Sequence, residues 1–257
     1  MDNILKFFLI LNFIYVEIKK TKSSIINKYK IINQFKLISY IKFKFGNGDL
    51  LFKDENINSF LKKNSIRFRK KNKKNKIIIE LLLSHHSESA VMHCLVGNDL
   101  AKIYNAECIG IVKKNDYLTM KIANSFGIKE FRFVESENLF LNFRYFIMAL
   151  NLISPRKIEK KIFKLKYNGL EIGKAALESY YRFFNSDTKK INKIHLYIYL
   201  SRAIKTGIWS KTAFKTKYKF FVIGETQFVP HKILFHSALK SNIPVFFITL
   251  WLFMWNL

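Results

Sequence analysis

The sequence predicts an α/β protein with a parallel sheet and flanking helices. From residue 77 onward, short apolar runs alternate with segments whose apolar residues recur at helical spacing. The loops between these segments are short, as in right-handed βαβ crossovers. The chain has 257 residues, 49% of them hydrophobic, which is enough for one or two packed domains.

The first half of the pattern predicts three strands and two helices. Residues 77–83 are apolar except for one Glu and rich in β-branched side chains, which favours a strand buried on both faces. A helix follows over about 92–103, then a strand over 107–112. Residues 117–126 predict a second helix, which Gly127 ends in a left-handed conformation. A third strand covers residues 130–134.

The second half repeats this order. Residues 138–152 predict a helix that ends before Pro155, and apolar faces at 177–184 and 194–198 predict two more. Residues 218–224 form a strand, Pro230 opens a helix that runs to about 241, and 244–249 form the last strand. We therefore expect a Rossmann-like domain over residues 77–249.

The first 76 residues form a basic extension. Between Glu17 and Lys76 there are 18 basic and 4 acidic residues, a balance of +14. We expect a short amphipathic helix, then a strand or hairpin arm where Lys alternates with apolar residues at 41–45. The basic run 67–76 predicts a solvated loop. The change of composition after Lys76 places a domain boundary there.

The end of the chain, residues 250–257, carries no charge and several large aromatic side chains. We expect it to be a truncated end rather than the natural terminus of a domain. The uninterrupted apolar run 243–255 has 13 residues, whereas a membrane-spanning helix needs about 20. No cleavable signal peptide is evident. These observations predict a cytoplasmic chain, peripheral at the inner face of the plasma membrane.

Composition argues against two classes of site. The formal charge is +27, but the basic residues are 38 Lys and only 7 Arg, and Arg is the side chain that reads phosphates and base edges. We therefore expect no specific nucleic-acid partner. Cys94 and Cys108 lack metal-ligand spacing, so we expect two buried thiols and no metal site.

Two polar loops follow predicted strands, where ligands bind in parallel sheets. The first, residues 84–89, contains His85, His86 and Glu88, which fit a general base with an orienting carboxylate. The same Ser and Glu side chains also suit a capped, solvated loop. The second loop contains Glu225 and Thr226, the former being the only acidic residue after position 187.

His231 opens the helix after this second loop and is expected to face the same crevice, although it also suits a capping or packing role. We expect His236, next to Phe235, to be a buried or half-buried structural residue. Gly169 and Gly173 precede a helix, but their spacing matches neither a P-loop nor a dinucleotide motif. They favour close passage of a loop along the sheet.

Two segments carry a resemblance to a known family: YNGLEIGKAALESYYRF at 167–183 and FFVIGETQFVPHKILFHSALKSNIPVF at 220–246. The chain resembles, over about 77–247, the N-terminal half of bacterial surface (capsular or O-antigen) polysaccharide biosynthesis proteins, which are glycosyltransferases of the GT-B type. The matching positions are Gly169, Ile172, Gly173, Tyr180, Tyr181, Arg182, Phe183 and residues 238–245.

The resemblance implies transfer of a sugar from a sugar nucleotide to a glycan or lipid-linked acceptor, with no further cofactor. It implies His86 or Glu225 as base and Glu88 as orienter. The substrate-binding residues that we expect are His85, Gly169, Gly173, Arg182, Thr226 and His231. A GT-B enzyme holds the sugar nucleotide mainly in a second domain, so we expect an acceptor-side domain that is inactive alone.

The alternative is a non-enzymatic module that binds a membrane surface or another polyanion. The basic excess of 17–76 adjoins the apolar stretch 7–16. Such a combination favours anionic headgroups by about 1 kcal/mol per nearby Lys or Arg. The two hypotheses are compatible, because an enzyme acting on lipid-linked glycans works at a membrane.

Overall fold

The computed structural model describes residues 2–46, 50–68, 73–83, 87–134, 138–184 and 191–248. Its centre is a five-stranded sheet in the order β3-β2-β1-β4-β5, in which every neighbouring pair is parallel. The strands are β1 Asn75–Glu80, β2 Ala106–Val112, β3 Glu130–Phe133, β4 Phe220–Ile223 and β5 Val245–Phe247. Each of the five predicted strands overlaps one of them, and the predicted Rossmann-like α/β fold is confirmed.

The helices surround this sheet and include every helix predicted after residue 77. They are α1 Asp2–Gln34, α2 Leu37–Lys44, α3 Glu55–Arg67, α4 Ser87–Ile103, α5 Tyr117–Ser125, α6 Leu139–Leu152, α7 Ile158–Lys161, α8 Ile172–Phe183, α9 Lys193–Ala213 and α10 His231–Lys240. Local chemistry sets several ends: the Asn138 side chain accepts from two amides of α6, and Gly127 after α5 has a φ of +78°.

The two faces of the sheet pack against different helices. Ile77 and Ile79 pack on one face with residues of α4 and α5. Ile78 and Leu82 point to the other face, where they meet Leu234 of α10. This alternation follows from the two-residue period of a strand. By the same alternation, the side chain of Glu80 points to the same face as Ile78 and Leu82, toward α10.

Two expectations for the first 76 residues are wrong. Residues 41–45 are not a hairpin arm, because α2 covers 41–44 and residue 45 lies in the turn that follows. Tyr40 of α2 is buried against Phe35 and Tyr117, and the helix satisfies its backbone groups locally without a partner strand. The first helix is not short either, since α1 has 33 residues.

The basic extension shares its cores with the rest of the chain. Leu9 and Phe13 of α1 lie in one apolar cluster with residues of α6, α8 and α9. Phe35, Leu61 and Phe68 belong to another, which also contains residues of β1 and α4. The change of composition after Lys76 therefore does not coincide with a break in packing. None of the described helices is both long and apolar enough to cross a bilayer.

Candidate functional site

The strand order places a switch point between β1 and β4. The chain builds β1, β2 and β3 outward in one direction and then returns to add β4 on the other side of β1. Loops diverge at such a point, which leaves a crevice beyond the carboxyl ends of the two strands. The register pairs Ile79 of β1 with Val222 of β4. The residues that follow this pair therefore border the crevice.

Glu80 is the last residue of β1 and its side chain is fully buried. The Leu82 N–H donates to Glu80 Oε1, whereas Oε2 is buried with no hydrogen-bond partner among the described residues. Burying a carboxylate is costly unless charges or hydrogen bonds compensate it. The surroundings of Glu80 must supply that compensation.

His231, the first residue of α10, is the basic side chain nearest to this carboxylate. Its Nδ1 lies 3.4 Å from Glu80 Oε1, and its side chain is 9% exposed. This separation is longer than an ideal hydrogen bond, and His231 Nδ1 has no hydrogen-bond partner in the described structure. His231 Nδ1 is fully buried, so Nδ1 faces the carboxylate and the exposed part of the ring faces away from it.

His93 of α4 lies against the opposite face of the same strand end. Its Nδ1 is 2.7 Å from the carbonyl oxygen of Glu80. Because a carbonyl only accepts, Nδ1 carries a proton and donates. Nε2 is buried without a described partner and points at Gly224, where an added Cβ would lie 2.4 Å from it.

These three side chains form an acid–base cluster. Burial alone would raise the pKa of the Glu80 carboxyl, but electrostatic attraction to His231, with the nearby His93 and the Leu82 N–H, holds that pKa below its ordinary value. Glu80 is therefore a carboxylate at neutral pH. Within the described ranges, no group of His, Cys, Asp and Glu is arranged to hold a metal ion.

The loop after β4 brings a second set of residues to this edge. Glu225 Oε1 accepts from the backbone N–H groups of Thr226 and Gln227, both at 2.7 Å. Arg182, near the end of α8, lies over the Phe228 ring at 5.2 Å and has no carboxylate partner in the described structure. The structure therefore places Glu225, Thr226, Arg182 and His231 around one loop.

Other predicted site residues lie elsewhere. Glu88 is exposed and borders an apolar cavity of about 720 Å³ between α3, α4 and α5. Gly169 lies beside Lys240 at the far end of α10 from His231, and its φ is +72°. Gly173 packs against the backbone at Ile162. His85 and His86 lie outside the described residues, as do residues 250–257.

Sequence reasoning missed Glu80 and His93. The signal for Glu80 is a single acidic residue inside the apolar run 77–83, because a strand buried on both faces must also bury its charge. His93 lies four residues after Ser89 and four before Gly97, on the helix face that meets the sheet. No signal in the sequence indicates that both meet at the end of β1.

Comparison with protein-family models, with curated proteins and with solved structures found no match for this chain.

Proposed function

We propose that this chain is the acceptor-binding part of a glycosyltransferase of surface polysaccharide synthesis. The observation that carries the proposal is the buried Glu80–His231 pair at the switch point of the sheet. The two segments that resemble such enzymes, 167–183 and 220–246, contribute α8, β4 and α10; α10 begins with His231, and β4 pairs with β1. The class of substrate therefore follows from the resemblance, and the chemistry follows from the site.

Sugar transfer to a hydroxyl group needs a base that removes the hydroxyl proton as the new bond forms. In our proposal His231 is that base and acts through Nε2. Glu80 is a positioning residue: its carboxylate keeps the proton of the ring on Nδ1 and stabilises the imidazolium that forms. His93 fixes the end of β1 through the Glu80 carbonyl.

The other polar residues have supporting roles. Arg182 offers a planar cation for the phosphate groups of a sugar nucleotide or a lipid-linked acceptor. Thr226 offers a hydroxyl next to His231. Glu225 is less suited to be the base than His231, because its Oε1 already accepts two backbone hydrogen bonds that hold the loop.

The test has two measurements. Saturation-transfer NMR with a panel of saccharides measures acceptor binding by the full chain, and radiolabelled sugar nucleotides measure transfer to the saccharides that bind once a donor-binding domain is fused after residue 257. We expect His231→Ala to lower transfer by about 10²- to 10⁴-fold, the usual contribution of a general base. Glu80→Gln should also lower the rate of sugar transfer, and it should shift the acidic limb of the pH–rate profile.

His236→Ala is the matched control, because His236 lies on the same helix and burial lowers its pKa, but it makes no contact with Glu80. It should leave transfer and binding unchanged. Glu225→Ala distinguishes the two base candidates and should retain activity if the loop stays folded. The proposal fails if no saccharide binds, or if His231→Ala and His236→Ala have equal activity.

A further inference from the structure

The outward surface of α1 is unusually apolar. One side of this helix packs on the protein through Leu9 and Phe13. The other side carries seven large apolar residues that are each 40–64% exposed: Ile4, Phe7, Phe8, Leu11, Ile14, Tyr15 and Ile18. We call these seven residues the outer face of α1. They extend over about 21 Å of helix at 1.5 Å per residue.

This face is not a scatter of single exposed residues. Of the 30 large hydrophobic residues that are exposed in the described ranges, 18 lie between Ile4 and Ile66. Isolated exposed apolar residues are normal in proteins, whereas contiguous ones mark a surface that binds something. The helix does not qualify as a membrane span, so any membrane contact has to be along its side.

The charge around the outer face identifies the partner. Lys19, Lys22 and Lys30 in the second half of α1 are exposed and have no carboxylate partner in the described structure. The two acidic residues of α1 both face the protein: Asp2 accepts from Ser154 Oγ, and the buried Glu17 accepts from Asn142 Nδ2. The exposed surface of α1 is therefore apolar and then cationic, and among its exposed lysines Lys20 pairs with Glu17 at 3.8 Å.

We propose that α1 docks on an anionic membrane surface, with its axis parallel to the bilayer and its outer face inserted at the level of the headgroups. Helices that combine apolar and Lys-rich surfaces bind in this way, and anionic lipids add attraction for each nearby Lys. A second copy of the chain fits less well, because two basic segments of +14 would face one another.

Vesicle flotation tests this directly with the full chain. Phosphatidylcholine vesicles containing about 30% phosphatidylglycerol should bind it, and pure phosphatidylcholine should bind it at least about tenfold more weakly. Phe8→Glu should weaken binding to the anionic vesicles at least about tenfold. Phe163→Glu is the matched control, because Phe163 is 59% exposed and Phe8 57%, and it should bind normally.

A second pair of variants tests the charge. Lys19→Gln with Lys22→Gln should weaken binding at low salt, whereas Lys160→Gln with Lys161→Gln, which removes two exposed lysines from α7, should not. Insertion is measured with Phe8→Trp, whose added fluorescence should be quenched by brominated lipids, unlike that of Phe163→Trp. Each variant is first shown by urea unfolding to be as stable as the unmodified chain.

Three results would overturn the proposal. One is no flotation of the unmodified chain with anionic vesicles at low salt. Another is equal binding by Phe8→Glu and Phe163→Glu. The third is a dimer in light scattering that Phe8→Glu dissociates while vesicle binding is unchanged, which would assign the face to a second copy. Glu80→Gln should float normally, so failure of the proposed sugar transfer and failure of docking are distinguishable.

Discussion

Breaking the Glu80–His231 pair is the perturbation whose cost the structure defines best. Glu80→Ala removes a fully buried side chain, leaves the Leu82 N–H without its acceptor and leaves His231 Nδ1 without its carboxylate. An unsatisfied buried donor costs about 1–3 kcal/mol, and Glu80→Ala leaves two buried donors, the Leu82 N–H and His231 Nδ1, without the carboxylate. We expect Glu80→Ala to lower the free energy of unfolding by about 2–6 kcal/mol.

Glu80→Gln separates the charge from the shape. The amide oxygen can still accept from the Leu82 N–H, so the remaining loss is the interaction of the charge with His231. A double-mutant cycle of Glu80→Gln and His231→Gln should give a coupling energy of about 1–3 kcal/mol, as for hydrogen bonds to charged groups.

Urea unfolding at neutral pH measures all four proteins of the cycle, and equal m-values would show that the unfolded state is not changed. A coupling energy below about 0.5 kcal/mol would refute the reasoning, because residues that do not interact are additive within that limit. Similar losses for Glu80→Ala and Glu80→Gln would show in addition that the Leu82 hydrogen bond contributes little.

Three further predictions concern pH, packing and the thiols. The pKa of Glu80 in the folded chain lies below its ordinary value of 4.5. The unmodified chain should therefore be more stable than Glu80→Gln by a constant amount above pH 4.5, and this difference should decrease as the pH falls further. Acid unfolding of both proteins measures the difference. Gly173→Ala should lose at least about 2 kcal/mol in urea unfolding, because the new Cβ would lie 1.8 Å from the backbone oxygen of Ile162. Gly207→Ala meets the end of the Leu170 side chain at 3.1 Å and that of Ile233 at 3.8 Å, without a backbone contact, and should be nearly neutral, so equal losses for the two variants would contradict the packing argument. Burial, with the charge of Glu107, raises the pKa of the Cys108 thiol to about 12, so iodoacetamide at pH 8 should label the folded chain about 1000-fold more slowly than the urea-unfolded one. Rapid labelling of the folded chain would show that this thiol is accessible and ionised.

The sheet was predictable because its signals are local. Each strand after residue 77 is a short apolar run between polar loops, and a run such as 220–223 has few alternatives to burial in a sheet. The prediction of a strand at 41–45 was wrong because it also relied on a local signal. The alternation of Lys and apolar residues has the period of a strand, but α2 is held in place by contacts distant in sequence, such as that of Tyr40 with Tyr117.

The site was predicted only in part, because a site depends on which strand ends meet. Glu225, Thr226 and His231 follow a recognisable strand, so their position at its carboxyl end could be inferred. Glu80 is 151 residues from His231 in the sequence. Only the return of the chain from β3 to the other side of β1 brings the two together, and no pattern within either segment encodes that step.

The buried carboxylate of Glu80 also indicates a functional role. A buried ion pair is weak evidence for stability, because well-packed apolar residues of similar volume often serve equally well or better. The neighbours of Glu80 along β1 are apolar and fully buried, so the strand as such has no need for a charge. The unpartnered Glu80 Oε2 and His93 Nε2 atoms add an energetic cost that folding alone does not explain. Glu80 Oε2 lies at the carboxyl end of β1, where a parallel sheet binds its ligand, and a hydroxyl group of a ligand would satisfy it. We therefore expect a bound acceptor to protect the amide of Leu82 from hydrogen exchange, and unchanged exchange at saturating saccharide would mean that this carboxylate does not meet the ligand.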